Sequence, residues 1–138
     1  MTGKCAALLA FLVVLAVSDT SFAEHEIYYR YTVLGYVKDA AGAPRSRMEV
    51  NLMREKTGFS YLGETDDTGL YVIVARLGDE SVGERLHLRA ADASVTITAR
   101  FDPADHARER GTRLDFLGGR SVETPAAFAG TLRRFLAE

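Results

Sequence analysis

The sequence predicts an all-β domain: an antiparallel sandwich or barrel of six or seven short strands, closed by a short C-terminal helix. Three observations predict it. Beyond residue 23, apolar residues alternate with a period of two along nearly the whole chain, which is the strand signature. Turn segments rich in Gly and Asp punctuate that alternation at short intervals. No long amphipathic helix stands between strands to carry a parallel crossover. The composition agrees. The 138 residues suffice for one ordinary domain. An apolar share of 47% beside a charged share of 26% excludes a disordered chain. Lys and Arg number 17 against 19 Asp and Glu, and the net charge of -2 lacks the basic excess that a general grip on nucleic acid needs.

Residues 1–23 stand apart from this pattern. Lys4 supplies a positive start, residues 6–17 are unbroken apolar, and Ser21-Phe22-Ala23 has small residues at its first and third places. That is a secretory signal peptide with cleavage after Ala23. The apolar run is shorter than the roughly 20 residues of a membrane span, so no stable span is expected after cleavage. Cleavage removes Cys5, the single cysteine, so the mature domain from Glu24 has neither a disulfide nor a thiol nucleophile. An exported small domain without disulfides points to a periplasmic or secreted protein.

The strands follow in order. Residues 27–38 are aromatic and β-branched. In residues 47–54, Met48, Val50 and Leu52 oppose Glu49 and Asn51. Residues 59–65 form the third candidate. Residues 70–76 are apolar on both faces and read as covered on both. In residues 84–91, Leu86, Leu88 and Ala90 oppose Arg85, His87 and Arg89. In residues 94–101, Val95, Ile97, Ala99 and Phe101 oppose Thr96, Thr98 and Arg100. Residues 112–117 make the seventh. This parity places Val33, Val37, Val50, Leu52, Tyr71, Ile73, Leu86, Leu88, Val95 and Ile97 in the core. Residues 102–111 begin with Asp-Pro and end in Gly, the pattern of two helical turns on a loop. Residues 123–138 form an amphipathic helix. Thr124 is its cap and Pro125 its first residue, and Phe128, Leu132, Phe135 and Leu136 make one stripe.

Two segments resemble a known family. Residues 35–44, Gly-Tyr-Val-Lys-Asp-Ala-Ala-Gly-Ala-Pro, look like the opening of carboxypeptidase regulatory-like domains. Met48-Glu49-Val50-Asn51-Leu52 follows where their second strand is expected. Residues 65–71, Thr-Asp-Asp-Thr-Gly-Leu-Tyr, are similar to their T-D-x-x-G-x-Y signature. The resemblance covers residues 33–76 and implies a seven-stranded antiparallel transthyretin-like sandwich, residues 24–122 here. It also implies a noncatalytic module. The expected function is therefore an exported module that makes protein–protein contact with another envelope protein and is not an enzyme. The alternative is a small-ligand or carbohydrate-binding domain.

Candidate sites are few. Tyr28, Arg30 and Tyr36 share the outward parity of the first strand and form the binding-surface candidate, with Phe128, Leu132, Phe135 and Leu136 on the helix. Tyr29 and Tyr31 share the core parity. His25 with the free amine of Glu24 offers too few ligands for a specific copper site. Asp66 and Asp67 read as turn caps rather than calcium ligands. Asp102, Asp105, His106 and Glu109, next to Arg108 and Arg110, read as a charge-paired loop. No catalytic residue, metal site or cofactor is assigned. No P-loop, GxSxG, HExxH or CxxC occurs. Transthyretin-like hydroxyisourate hydrolases carry a Tyr-Arg-Gly-Ser end, absent here. Intradiol dioxygenases share a related sandwich but hold iron with two Tyr and two His, which the three histidines here do not suit.

The export reading has a direct test. The intact mass of the exported protein should lack the first 23 residues, and a mature species that retains Lys4 would overturn it.

Overall fold

The computed structural model of the chain describes residues 29–91 and 93–138. The expected signal peptide, residues 1–23, and His25 and Tyr28 lie outside the described residues.

Eight strands form two four-stranded sheets, and a helix ends the chain. They are β1 (Arg30–Lys38), β2 (Glu49–Arg54), β3 (Ser60–Glu64), β4 (Leu70–Arg76), β5 (Arg85–Ala90), β6 (Ala93–Thr98), β7 (Gly111–Leu117) and β8 (Arg120–Glu123), followed by α1 (Phe128–Ala137). The first sheet has the order β4-β1-β7-β8 and the second β3-β2-β5-β6. The inward side chains of both sheets share one apolar cluster, which makes the architecture a β-sandwich. Nine of the ten expected core residues are buried, and Val95 is half-buried against the same cluster.

The fold departs from the expected seven antiparallel strands in two ways. First, β1 and β7 pair in parallel, with Thr32 beside Gly111 and Lys38 beside Leu117. The first sheet is therefore mixed. β7 is reached by a crossover from β6 in the other sheet, so no hairpin dictates its direction. Second, β8 pairs back on β7 through a two-residue turn. Gly118 (φ 54°) and Gly119 (φ 84°) both take the positive φ that this turn requires.

The loop between β6 and β7 contains no helix. Its polar side chains use the backbone groups a helix would need. Asp102 and Asp105 accept bonds from the amides of Ala104, Ala107 and Arg108. The Arg110 guanidinium donates to the carbonyls of Asp102, Pro103 and Asp105, and it stacks 4.2 Å from the Phe101 ring centroid. Asp79 ties the loop to a 3-10 turn, Asp79–Ser81, by accepting from Arg110 and contacting His106, each at 2.8 Å. Together they hold the Asp79 carboxyl below the usual carboxylate range.

One junction sets the first sheet. The β1–β7 ladder is interrupted at Gly35 and Tyr36. There the Leu114 carbonyl lies so close to Gly35 that a Cβ would run into it. The same carbonyl accepts the buried Tyr71 hydroxyl at 2.6 Å, from the strand on the other side of β1. The Tyr36 amide donates instead to the Asp115 carboxylate at 2.8 Å. Burial pushes the Tyr71 phenol far above its ordinary range, so it stays a neutral donor.

The terminal helix docks on its own sandwich. Phe128 and Leu132 are buried against Leu34 and the half-buried Val72, on the outer face of the first sheet. Thr131 bonds the Ala127 carbonyl and accepts from Arg113 at 3.1 Å. A 3-10 turn, Pro125–Ala127, precedes the helix, and Thr124 makes no side-chain cap. Phe135 and Leu136, expected in the same stripe, are exposed at 40% and 68% because α1 extends past its contact. Val74, in the strand expected to be covered on both faces, is 47% exposed.

Tyr71→Phe keeps the ring but leaves the Leu114 carbonyl buried without its donor. The expected loss is about 1–3 kcal/mol of unfolding free energy, read by urea denaturation. A loss under about 0.5 kcal/mol, the ordinary surface scale, would deny the junction its role.

Candidate functional site

The outward residues of β1 are used within the domain. Arg30 donates to Glu109 at 2.8 Å. Tyr36 is half-buried, with Lys38 Nζ 5.4 Å and the Arg113 guanidinium 5.2 Å from its ring centroid. Leu34 lies between them on the same face, under α1. These residues do not assemble an open aromatic surface with the helix stripe. Tyr29 is 39% exposed despite its core parity, because it precedes the strand. Asp66 caps its own turn, accepting from the amides of Thr68 and Leu70 and from the Thr68 hydroxyl, which holds its carboxyl low.

The other outer face, on the second sheet, is uncovered by any described element. Cross-strand register puts Leu62, Asn51, Arg89 and Ser94 in one row and Ser60, Met53, His87 and Thr96 in the next. Successive outward residues on a strand lie about 6.6 Å apart and neighbouring strands about 4.8 Å, so these rows form a compact patch. It holds an open basin of about 490 Å³, lined by Asn51, Met53, Ser60, His87, Arg89 and Ser94, with buried Leu88 beneath.

The charges of this face are unevenly paired. Glu55, just past β2, contacts Arg85 at 3.2 Å and lies 3.8 Å from His87 Nε2. His87 Nδ1 is 2.7 Å from the Thr96 hydroxyl, which fixes the ring against β6. Arg89 is exposed and has no ion-pair partner among the described residues. The basin thus offers a free guanidinium fork, an amide, two hydroxyls, an oriented imidazole and the apolar Met53 side chain. No group of three or more His, Cys, Asp or Glu among the described residues is placed to hold a metal ion. No described helix is long and apolar enough to cross a membrane.

The sequence reading passed over Asn51, Ser60, Arg89 and Ser94. Outward polar residues on a strand look like any solvated face. Only the register shows that β2, β3, β5 and β6 bring them side by side.

No protein-family model matches the chain, and no curated protein does. Solved structures of similar shape include chlorocatechol 1,2-dioxygenase from Pseudomonas putida, at 11% identity and TM-score 0.45, covering 67% of this chain and 61% of that one. Another is (S)-allantoin synthase, at 12% identity and TM-score 0.46, covering 72% and 44%. A third is the dioxygenase domain of a dioxygenase–carbohydrate-binding protein fusion from Streptomyces sp. SirexAA-E, at 20% identity and TM-score 0.42, covering 64% and 79%. This chain therefore spans less than two thirds of the first two. All three are enzymes by name, which corrects the expectation of a noncatalytic contact module: absence of catalysis does not follow from this arrangement of strands. At these identities and scores, no substrate, metal or mechanism passes from them to this chain.

At the end of β2, Arg54 grips Glu84 through two bonds of 2.7 and 2.9 Å, linking β2 to the turn before β5. The Arg54 hydrogen bond holds the Glu84 carboxyl below its ordinary 4.5. A depressed carboxyl contributes stability that is fully present above its unfolded value and lost as pH falls through the folded one. Glu84→Gln should lower the urea midpoint at pH 7 and make the fall from pH 5 to pH 3 shallower than in the parent. Parallel acid limbs in the two proteins would contradict this.

Proposed function

We propose that the domain binds a small organic molecule on the outer face of its second sheet, in the basin between Asn51, Met53, Arg89 and Ser94. The observation that carries the reading is Arg89. It is an exposed guanidinium with no acidic partner among the described residues, set among hydrogen-bonding side chains and near the half-buried, apolar Met53. Ligand sites combine such an apolar surface with a few convergent polar groups. The opposite outer face is occupied by α1, and no described element covers this one.

Two further readings belong with it. Residues 33–76 share the carboxypeptidase regulatory-like pattern, supported by the Asp66 turn caps and by Tyr71, whose hydroxyl the fold uses. The protein acts in the periplasm or outside the cell, supported by the signal-like residues 1–23.

The test is a screen of small alcohols, amides and carboxylates against the labelled protein by NMR. Ligands should shift the amides of Asn51, Met53, Arg89 and Ser94 and leave those of Leu34 and Val72 in place. Shifts confined to other surfaces, or none at millimolar concentration, would overturn the reading.

A further inference from the structure

Resting on that binding site, we infer the chemical class of its ligand: a small carboxylate that carries a hydroxyl group and an apolar body. Three features of the patch converge on this class. The first is charge. Arg85 faces Glu55, whereas Arg89, four residues on and on the same face of β5, faces the Asn51 amide and the Ser94 hydroxyl across the ladder. A guanidinium presents parallel N–H donors that match a carboxylate bidentately, which a neutral ligand leaves unused.

The second feature is orientation. The row beyond Asn51 carries Glu49 directly opposite Glu64, two like charges on neighbouring strands. An anion seated on that side would meet both. The carboxylate is therefore driven toward the Ser94 side of Arg89, where the outward residues of β6 are the hydroxyl-bearing Ser94, Thr96 and Thr98. Ser94 on that side and Asn51 on the other flank Arg89, and the nearer Ser94 is the partner for a hydroxyl on the atom next to the carboxylate.

The third feature is the apolar part. Met53 lines the basin, and Leu62, opposite Asn51, is 65% exposed. Leu62 and Arg89 flank Asn51 on either side, about 10 Å apart by strand spacing. That span suits a ligand with a charged end and one ring or short chain, and it exceeds a bare inorganic anion.

The test compares mandelate with its neutral methyl ester and with inorganic phosphate, by NMR titration of the full mature chain. Mandelate should shift the Asn51, Arg89 and Ser94 amides and bind about tenfold more tightly than the ester. Arg89→Ala should remove that tenfold advantage and leave the ester's binding unchanged, and Arg89→Lys should restore only part of it. Arg89 is exposed, so both variants should keep the parent's melting temperature. Equal affinity for acid and ester would overturn the carboxylate while the binding site stood. Phosphate binding as tight as mandelate would overturn the hydroxyl and apolar parts. If no probe of either charge shifts these amides, both the class and the site reading fail.

Discussion

The sandwich depends on a single close approach, that of the Leu114 carbonyl to Gly35. β1 runs through the middle of the first sheet with β4 antiparallel on one side and β7 parallel on the other. A parallel neighbour offers no hairpin to fix its register, so the register has to be set by side chains. At Gly35 the Leu114 carbonyl leaves the ladder and comes over the backbone, which only a residue without a Cβ permits. Tyr71 reaches that carbonyl from β4, and Asp115 takes the Tyr36 amide that the carbonyl no longer serves. Three strands are thereby locked by groups that have no alternative partner in a slipped register. A shift by one residue would leave a buried carbonyl and a buried phenol unpaired.

From this lock follows the difference between the two outer faces. Asp115 also binds Arg113, and Arg113 donates to Thr131 of α1. The same strand that completes the junction therefore anchors the helix, which lays Phe128 and Leu132 on Leu34. The first sheet is covered by its own chain. Among the described residues the second sheet has no such cover, and Arg89 on its outer face has no ion-pair partner while Glu55 pairs with Arg85. The asymmetry is one of charge as well as of covering, and that makes the open face the candidate for function.

The sandwich was legible from the amino acids because its strands obey a period of two. The parity of Val50 and Leu52, or of Leu86 and Leu88, placed them correctly without any knowledge of partners. Three features escaped. The eighth strand is only four residues long with one apolar residue, Val122, though Gly118-Gly119 was a readable hairpin signal. The charged loop resembled a helix because its cap residues are the same ones that make Asx turns, and the decision lay with Arg110, which binds the loop carbonyls. Direction and register of β7 depend on Gly35 and Tyr71, distant in sequence from Leu114. The proposed binding surface escaped for a related reason. Arg89, Asn51 and Ser94 come from three strands, and nothing local marks any of them. Tyr36 looked like a surface aromatic and is instead packed beneath Lys38 and Arg113.

The claim that one outer face is covered and the other open can be measured on the full chain with a dissolved paramagnetic agent, which attenuates NMR signals by exposure. The account predicts strong attenuation of the Leu62 methyls and protection of the Leu34 and Leu132 methyls, with Met53 in between as a half-buried residue. Attenuation of Leu34 equal to that of Leu62 would mean that α1 does not cover the first sheet, and it would contradict the account.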